Sequence, residues 1–197
     1  EFVANWRGKD YRVQPEYNYE LTGMVVSLRQ HDGNSRMHSR SQDHLNVADL
    51  CVIWGDTAVA PTLSQVSFWN GIFTCNYKTS SHEAWRAFNE SEISNNHLIS
   101  DDPILRDLIR DVRVGDQIRL RGQLASYVSP SGSKRGTSVT RDDRGNGACE
   151  TIYVRDFFIE NRPSNPWRLG FWVSLALLVL FCATYLMSPH KVRGRQI

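Results

Sequence analysis

The chain has 197 residues, a formal net charge of +2 and 22% charged residues, a balance that fits neither a disordered chain nor a nucleic-acid binder with a strongly basic surface. Setting aside a C-terminal apolar run and its tail leaves about 165 residues, one domain of ordinary size with room for a real core. Six Trp, seven Tyr and eight Phe are generous for this length and suit a β-rich fold.

Residues 1–18 are polar with scattered aromatics (Phe2, Trp6, Tyr11, Tyr17) and are expected to form an arm on the domain surface. Tyr19–Arg29, YELTGMVVSLR, alternates and is rich in β-branched residues, so it reads as strand one. A polar loop bearing His31, His38 and His44 follows, then strand two at Leu45–Trp54, closed by a Gly55–Asp56 turn. Strand three is expected at Val66–Tyr77, with Asn70–Gly71 marking a bulge or tight bend. The period then lengthens. Ser81–Asn95 places Trp85, Phe88 and Ile93 at helical intervals behind a Ser81 cap. A second helix is expected over Asp102–Val112, with Pro103 in its first turn and Ile104, Leu105, Leu108 and Ile109 on one face. Val114-Gly115-Asp116 turns into strand four, Gln117–Val128, and strand five is Glu150–Phe158.

Three strands, helical material and two more strands, with VGDQIRLRGQL leading to ETIYVRDFFIEN, resemble the OB-fold, a five-stranded Greek-key barrel with a helix between strands three and four. The resemblance covers roughly residues 19–160 and implies a mainly β (α+β) OB-like barrel. The oligonucleotides or oligosaccharides bound by that family enter only as analogy. The segments SNNHLISDD and RGTSVTRDDRGNGACETIYV are also similar to ones in uncharacterised bacterial membrane-anchored proteins of unknown activity.

Such a barrel sets strand three beside strands two and five, so Cys75 could bridge to Cys51 or to Cys149. Cys75–Cys149 is favoured, because it would pin the long loop to the barrel. No CxxC is present, which argues against thioredoxin-like chemistry. His31, His38 and His44, with Asp32 and Asp43, carry ligand types suited to Zn²⁺ or Cu²⁺. Their spacing matches no compact ligand motif, and a solvated polar loop is the plainer account. No cofactor is expected beyond that possible metal.

Asn95-Asn96-His97 and Asp101-Asp102 are expected at a helix end, where Asn and Asp serve as caps; a catalytic His97 with an Asp partner is the sharper alternative. In the loop Ser129–Ala148, Lys134, Arg135, Arg141 and Arg144 sit among hydroxyls and glycines, the residue types that hold anions, lipid headgroups or a partner. Asp142 and Asp143 could equally neutralise them.

From Leu169 to Met187 the chain carries no charged residue, and a helix of that length covers about 28 Å, close to a bilayer core of ~30 Å. This is a membrane-spanning helix within residues 163–188. Gly170 and Ser174 supply a small-xxx-small step for helix packing, while Trp167, Trp172 and Tyr185 suit interfacial belts. Lys191, Arg193 and Arg195 follow it without an acid, which makes the 189–197 tail cytoplasmic and residues 19–162 extracytoplasmic. A bacterial inner membrane with a periplasmic barrel is therefore expected. Because the chain opens at Glu1, a removed signal peptide or an earlier segment is expected.

The leading expectation is non-enzymatic: a single-pass accessory or assembly subunit of a larger integral membrane protein complex, contacting the bilayer and no nucleic acid. The alternative is a ligand-binding or carrier module for a metal, haem, glycan or lipid headgroup. The third is a hydrolase using His97 or the His31–His44 loop.

Overall fold

The computed structural model describes residues 1–31, 42–140, 149–164 and 166–187. They fall into two units, Glu1–Arg162 and the segment from Pro163 onward. In the first unit, β1 (Phe2–Trp6) and β2 (Lys9–Gln30) precede β3 (Asn46–Ile53), β4 (Ser67–Asn70), β5 (Cys75–Lys78), β6 (Ile93–Ile99), β7 (Gln117–Val128), β8 (Lys134–Arg135) and β9 (Glu150–Asn161). Short helices α1 (Gly55–Val59), α2 (His82–Ala87) and α3 (Pro103–Arg110) lie between strands. The second unit contains α4 (Pro166–Met187).

Strand β2 closes the barrel by pairing twice. From Arg12 to Met24 it runs antiparallel to β7, and from Met24 to Gln30 antiparallel to β3. The change of partner needs a bend, and the register shifts at Pro15/Tyr17 and Val25/Ser27 supply it. Pro15 has no N–H to give to a ladder and so belongs at such a break. Beyond β3 come β6 (antiparallel), then β9 parallel to β6, then β7 antiparallel to β9 and back to β2. The closed order β2-β3-β6-β9-β7, with α3 between β6 and β7, is that of an OB-like Greek-key barrel. Gly122 permits a close approach of β7 to β9: a Cβ there would strike the Tyr153 carbonyl on β9.

Several expected elements move. Residues 1–18 are strand rather than arm: β1 and the first half of β2 form a hairpin whose turn residues, Arg7 and Gly8, both have positive φ (54 and 72), the requirement of a tight two-residue hairpin turn. Val66–Tyr77 is not barrel strand three. It contains the two-stranded β4–β5 hairpin, outside the barrel sheet. The true third strand is β6, inside and just beyond the stretch expected as helix. Ser81 does cap a helix, through Ala84 N at 3.3 Å, but that helix ends at Ala87. The apolar spacing that suggested a longer helix came from side chains serving different elements.

The interior is built by Leu21, Val25, Leu50, Val52, Leu98, Ile118, Leu120, Ile152, Val154 and Phe157, with Ile109 and Val112 packed in from α3 and the residues just after it. Asp102 caps α3 by accepting from Ile104 N (2.7 Å) and Leu105 N (3.3 Å). The expected apolar face of α3 is rotated, for Ile104 and Leu108 are exposed while Arg106 is buried. Arg106 donates to the carbonyls of Leu45 (2.9 Å) and His44 (3.0 Å) and lies 3.9 Å over the Trp6 ring. Burial, the dominant influence, pulls its guanidinium down to about 10. At the C-terminal end of α3, Arg162 bonds Asp116 at 2.9 Å and Asp111 at 3.0 Å.

In the second unit, Leu169–Met187 has a mean hydropathy of 2.2 and is long and apolar enough to cross a membrane.

Candidate functional site

Side chains alternate across a strand, so odd and even positions of β3, β6 and β9 serve opposite faces. Their pairing is Asp49↔His97, Cys51↔Asn95 and His97↔Thr151. The even positions Leu50, Val52, Leu98, Ile152 and Val154 fill the barrel. The odd positions place Asp49, Cys51, Asn95, His97 and Thr151 together on the outer side of the barrel wall. That side is not open to water: Asp49 is 1% and His97 9% exposed. The β4–β5 hairpin covers it, with Asn70 Nδ2 donating to the Asp49 carbonyl (3.4 Å) and Asn95 Nδ2 donating to the Phe73 carbonyl (3.0 Å). The 129–140 loop covers the rest, through Thr151 Oγ1 to Gly136 O at 2.7 Å.

Asp49 is the centre of this layer. Its Oδ1 lies 2.6 Å from His97 Nδ1 and its Oδ2 3.0 Å from His31 Nε2. Burial works against the Asp49 charge, yet the hydrogen bonds from His31 and His97 outweigh it and hold the carboxyl far below the usual carboxylate range. Burial likewise opposes charge on His97; the hydrogen bonds to Asp49 and to the Cys149 thiol overcome it and raise the imidazole to about 9. Cys149 is half-buried, donates to Phe73 O at 3.3 Å and receives Asn95 Nδ2 at 3.4 Å. A thiol, an imidazole and a buried carboxylate thus stand in sequence.

The residues singled out from sequence are distributed differently. His97 is in the central strand β6, not at a helix end, and its partner is Asp49. Asp101 instead accepts from the Tyr153 hydroxyl, and Asp102 is the α3 cap. The disulfide joins Cys51 to Cys75, with Cα atoms 5.5 Å apart, and not Cys75 to Cys149. The hairpin lays Cys75 over β3, where Cys51 points outward, while Cys149 is engaged by His97 and Phe73. His31 is turned to Asp49, whereas His44 belongs to the neighbourhood of Tyr11, whose hydroxyl accepts from His44 N at 3.2 Å. Among the described residues no three His, Cys, Asp or Glu side chains are placed to hold a metal ion. His38 lies outside the described residues.

Lys134 is exposed in β8, but Arg135 is committed: it bonds buried Asp43 at 3.2 Å and lies 3.8 Å over the Phe73 ring. Asp43 also accepts from the Tyr127 hydroxyl, and burial together with that carboxylate pushes the phenol well above its usual value. Arg141 and Arg144, like the side chain of Trp167, lie outside the description. On α4, Gly170, Ser174, Trp172 and Tyr185 are all exposed. Asp49 carried no signal of its own in the sequence. The signal available was the shared spacing of Asp49/Cys51 and Asn95/His97, two residues apart in each strand and so on one face.

No protein-family model matches the chain. No curated protein matches it either. Among solved structures it is similar to the S. cerevisiae mitochondrial single-stranded DNA-binding protein Rim1, at 12% identity and a TM-score of 0.29, covering 75% of this chain and 99% of that one. A superposition of that quality carries no functional argument, and the OB-like assignment rests on the strand order above. It does correct one expectation. Nucleic acid was left out of the partners on net charge, yet the matched protein binds single-stranded DNA, and net charge averages over a surface on which any local patch is invisible. The exclusion is withdrawn.

Proposed function

We propose that this chain is a single-pass membrane-anchored accessory subunit of a larger membrane protein complex, with the OB-like barrel as its extramembrane docking domain. The observation that carries this reading is α4, whose Leu169–Met187 stretch has a mean hydropathy of 2.2 and no charged residue. A helix of that composition has a bilayer as its natural solvent and small residues such as Gly170 and Ser174 for lateral packing. The Cys51–Cys75 bridge is consistent with an oxidising, periplasm-like side for the barrel of a bacterial inner-membrane protein. Trp69, Ile72 and Trp85, exposed around the hairpin, are the aromatic and aliphatic anchors that partner surfaces prefer.

The test is purification of the full chain from native membranes in gentle detergent. Stoichiometric membrane partners are expected, and they should be lost when Trp69 and Trp85 are both changed to Ala. Recovery of a bare monomer refutes the reading; tight binding of a labelled single-stranded oligonucleotide by that monomer replaces it. Labelling intact cells at Lys134 with an impermeant amine reagent tests the side of the membrane.

A second reading, a ligand-binding module, is supported by a groove of about 430 Å³ lined by Tyr19, Glu20, Arg121, Gln123 and Arg155. Its two arginines and aromatic edge suit a glycan or lipid headgroup. Retention of such a ligand by the purified chain, lost on Arg155→Ala, would favour it.

A further inference from the structure

The groove of about 430 Å³ on the outer face of β2, β7 and β9 is lined by hydrogen-bonding groups that the fold does not use up. Asn18 pairs with Gln123 across β2 and β7, and Glu20 with Arg121, so these four side chains share one face of the sheet. Tyr19 and Gly122 lie between them, and Tyr19 packs against the barrel core, which leaves backbone as the groove floor. Glu20 takes Arg121 Nε at 3.0 Å and offsets its charge. Arg155 is different. The β7–β9 register passes from Gly122↔Val154 to Arg121↔Asp156, so Arg155 is the extra residue of a bulge, a device that re-aims a side chain. Its guanidinium lies 4.6 Å over the Tyr153 ring and 5.3 Å over Phe2. Those two rings meet edge to face at 4.8 Å, and the Tyr153 hydroxyl donates to Asp101. Stacking fixes the plane of the guanidinium and leaves its N–H edge open. Among the described residues no carboxylate or carbonyl receives that edge, and the Asn18 and Gln123 carboxamides have no hydrogen-bond partner either. Asp156 follows on β9 without lining the groove.

We propose that this groove binds an acidic saccharide, a chain of sugar rings bearing carboxylates, which rests on the ligand-binding reading and narrows it. Arg155 is the carboxylate receptor, and Asn18, Gln123 and the Glu20–Arg121 pair are the hydroxyl partners. A carboxylate presents two oxygens in a plane, and a stacked guanidinium meets them with two parallel N–H donors. Sugar hydroxyls each donate and accept, and a carboxamide does both, so one carboxamide satisfies two adjacent hydroxyls. Glu20 and Arg121 divide the same work, one accepting and the other donating. A single uncompensated cation matches one acid per bound segment rather than a run of phosphates. The polar rims suit a ligand that keeps part of its hydration. The groove is open rather than enclosed, as a chain ligand requires. Its central strand, β7, is paired on both sides, so the receptor groups are positioned before the ligand arrives.

The experiment titrates the full chain, in neutral detergent at low salt, with trigalacturonate by calorimetry. The titration is repeated with its methyl ester, which keeps the ring hydroxyls and loses the charges. Saturable binding of the acid is expected, with the ester at least ~10-fold weaker, the usual scale for losing a charge-assisted hydrogen bond. Arg155→Ala should weaken the acid by that same ~10-fold and leave the ester unchanged, since Arg155 is exposed and gives no hydrogen bond to the fold. Gln123→Ala should weaken acid and ester alike. Equal binding of acid and ester overturns the carboxylate assignment and leaves a groove for neutral sugars. If the acid fails to bind while glycerol 3-phosphate or a thymidine oligonucleotide binds through Arg155, the proposal is overturned and the ligand-binding reading stands. If none of these binds the folded chain, both fall.

Discussion

The two faces of β3, β6 and β9 are one residue apart in sequence and opposite in chemistry. Inward, Leu50, Val52, Leu98 and Ile152 are fully buried among other aliphatics, and their contribution grows with area, at about 25 cal/mol per Å². Outward, Asp49, His97 and Asn95 are almost as completely buried, yet each is stable there only because a specific partner meets it. The first face tolerates change in proportion to volume. The second is all-or-nothing, since removing one member strands a charge or a donor in low dielectric. A wall that is apolar on both sides would serve as a scaffold equally well, so the polar side is where function is to be sought.

Asp49→Ala tests that asymmetry most severely. It leaves His31 and His97 buried without their shared carboxylate, and a loss of about 3–5 kcal/mol is expected, read by urea unfolding of the chain in detergent. Leu98→Ala, on the opposite face of the same strand pair, should cost about 3 kcal/mol through the cavity it leaves. Reducing the Cys51–Cys75 bridge, which closes a separation of 24 residues, should cost up to about 3 kcal/mol. If reduction also releases the hairpin, Cys149 will become more accessible to alkylation.

The pH dependence is smaller and comes from the polar face alone. His97 is raised to about 9, so its protonated form stabilises the fold. That contribution is complete below the ordinary histidine value near 6.5 and is lost as pH rises through about 9. Asp49, whose carboxyl is depressed, contributes in the opposite sense, above its ordinary range and lost on strong acidification. Unfolding temperature should therefore fall by roughly 5 °C between pH 6.5 and 9.5, and the fall should vanish in His97→Gln. A Leu98→Ala chain should keep the full pH dependence on a lower baseline. Smallest of all, Lys134→Ala, exposed on β8, should stay within about 0.5 kcal/mol of the parent.

Strands β3, β7 and β9 were legible because their own side chains dictated them: β-branched residues in alternation, bounded by Gly, Asp and Asn. Helix α3 was legible from its cap and Pro103. Strand β6 was not, because SNNHLI has polar residues on both faces and little β-propensity; only burial between β3 and β9 makes it a strand. Arg106 hid for a related reason. Its place in the core depends on carbonyls at residues 44 and 45, which no local pattern announces.

What the sequence determined by itself was set by short-range physics: the length and apolarity of α4, the alternating strands, the capped helix and hence the barrel class. Tertiary structure decided which cysteines bridge, which carboxylate holds His97 and whether Arg135 is available to an anion. Those are matters of which distant residues share a face after the barrel closes. Asp49 and His97 are registered opposite each other because β3 pairs antiparallel with β6, and Cys149 is brought to the same layer because β9 returns parallel to β6. That pairing is a property of the closed sheet and of no segment within it.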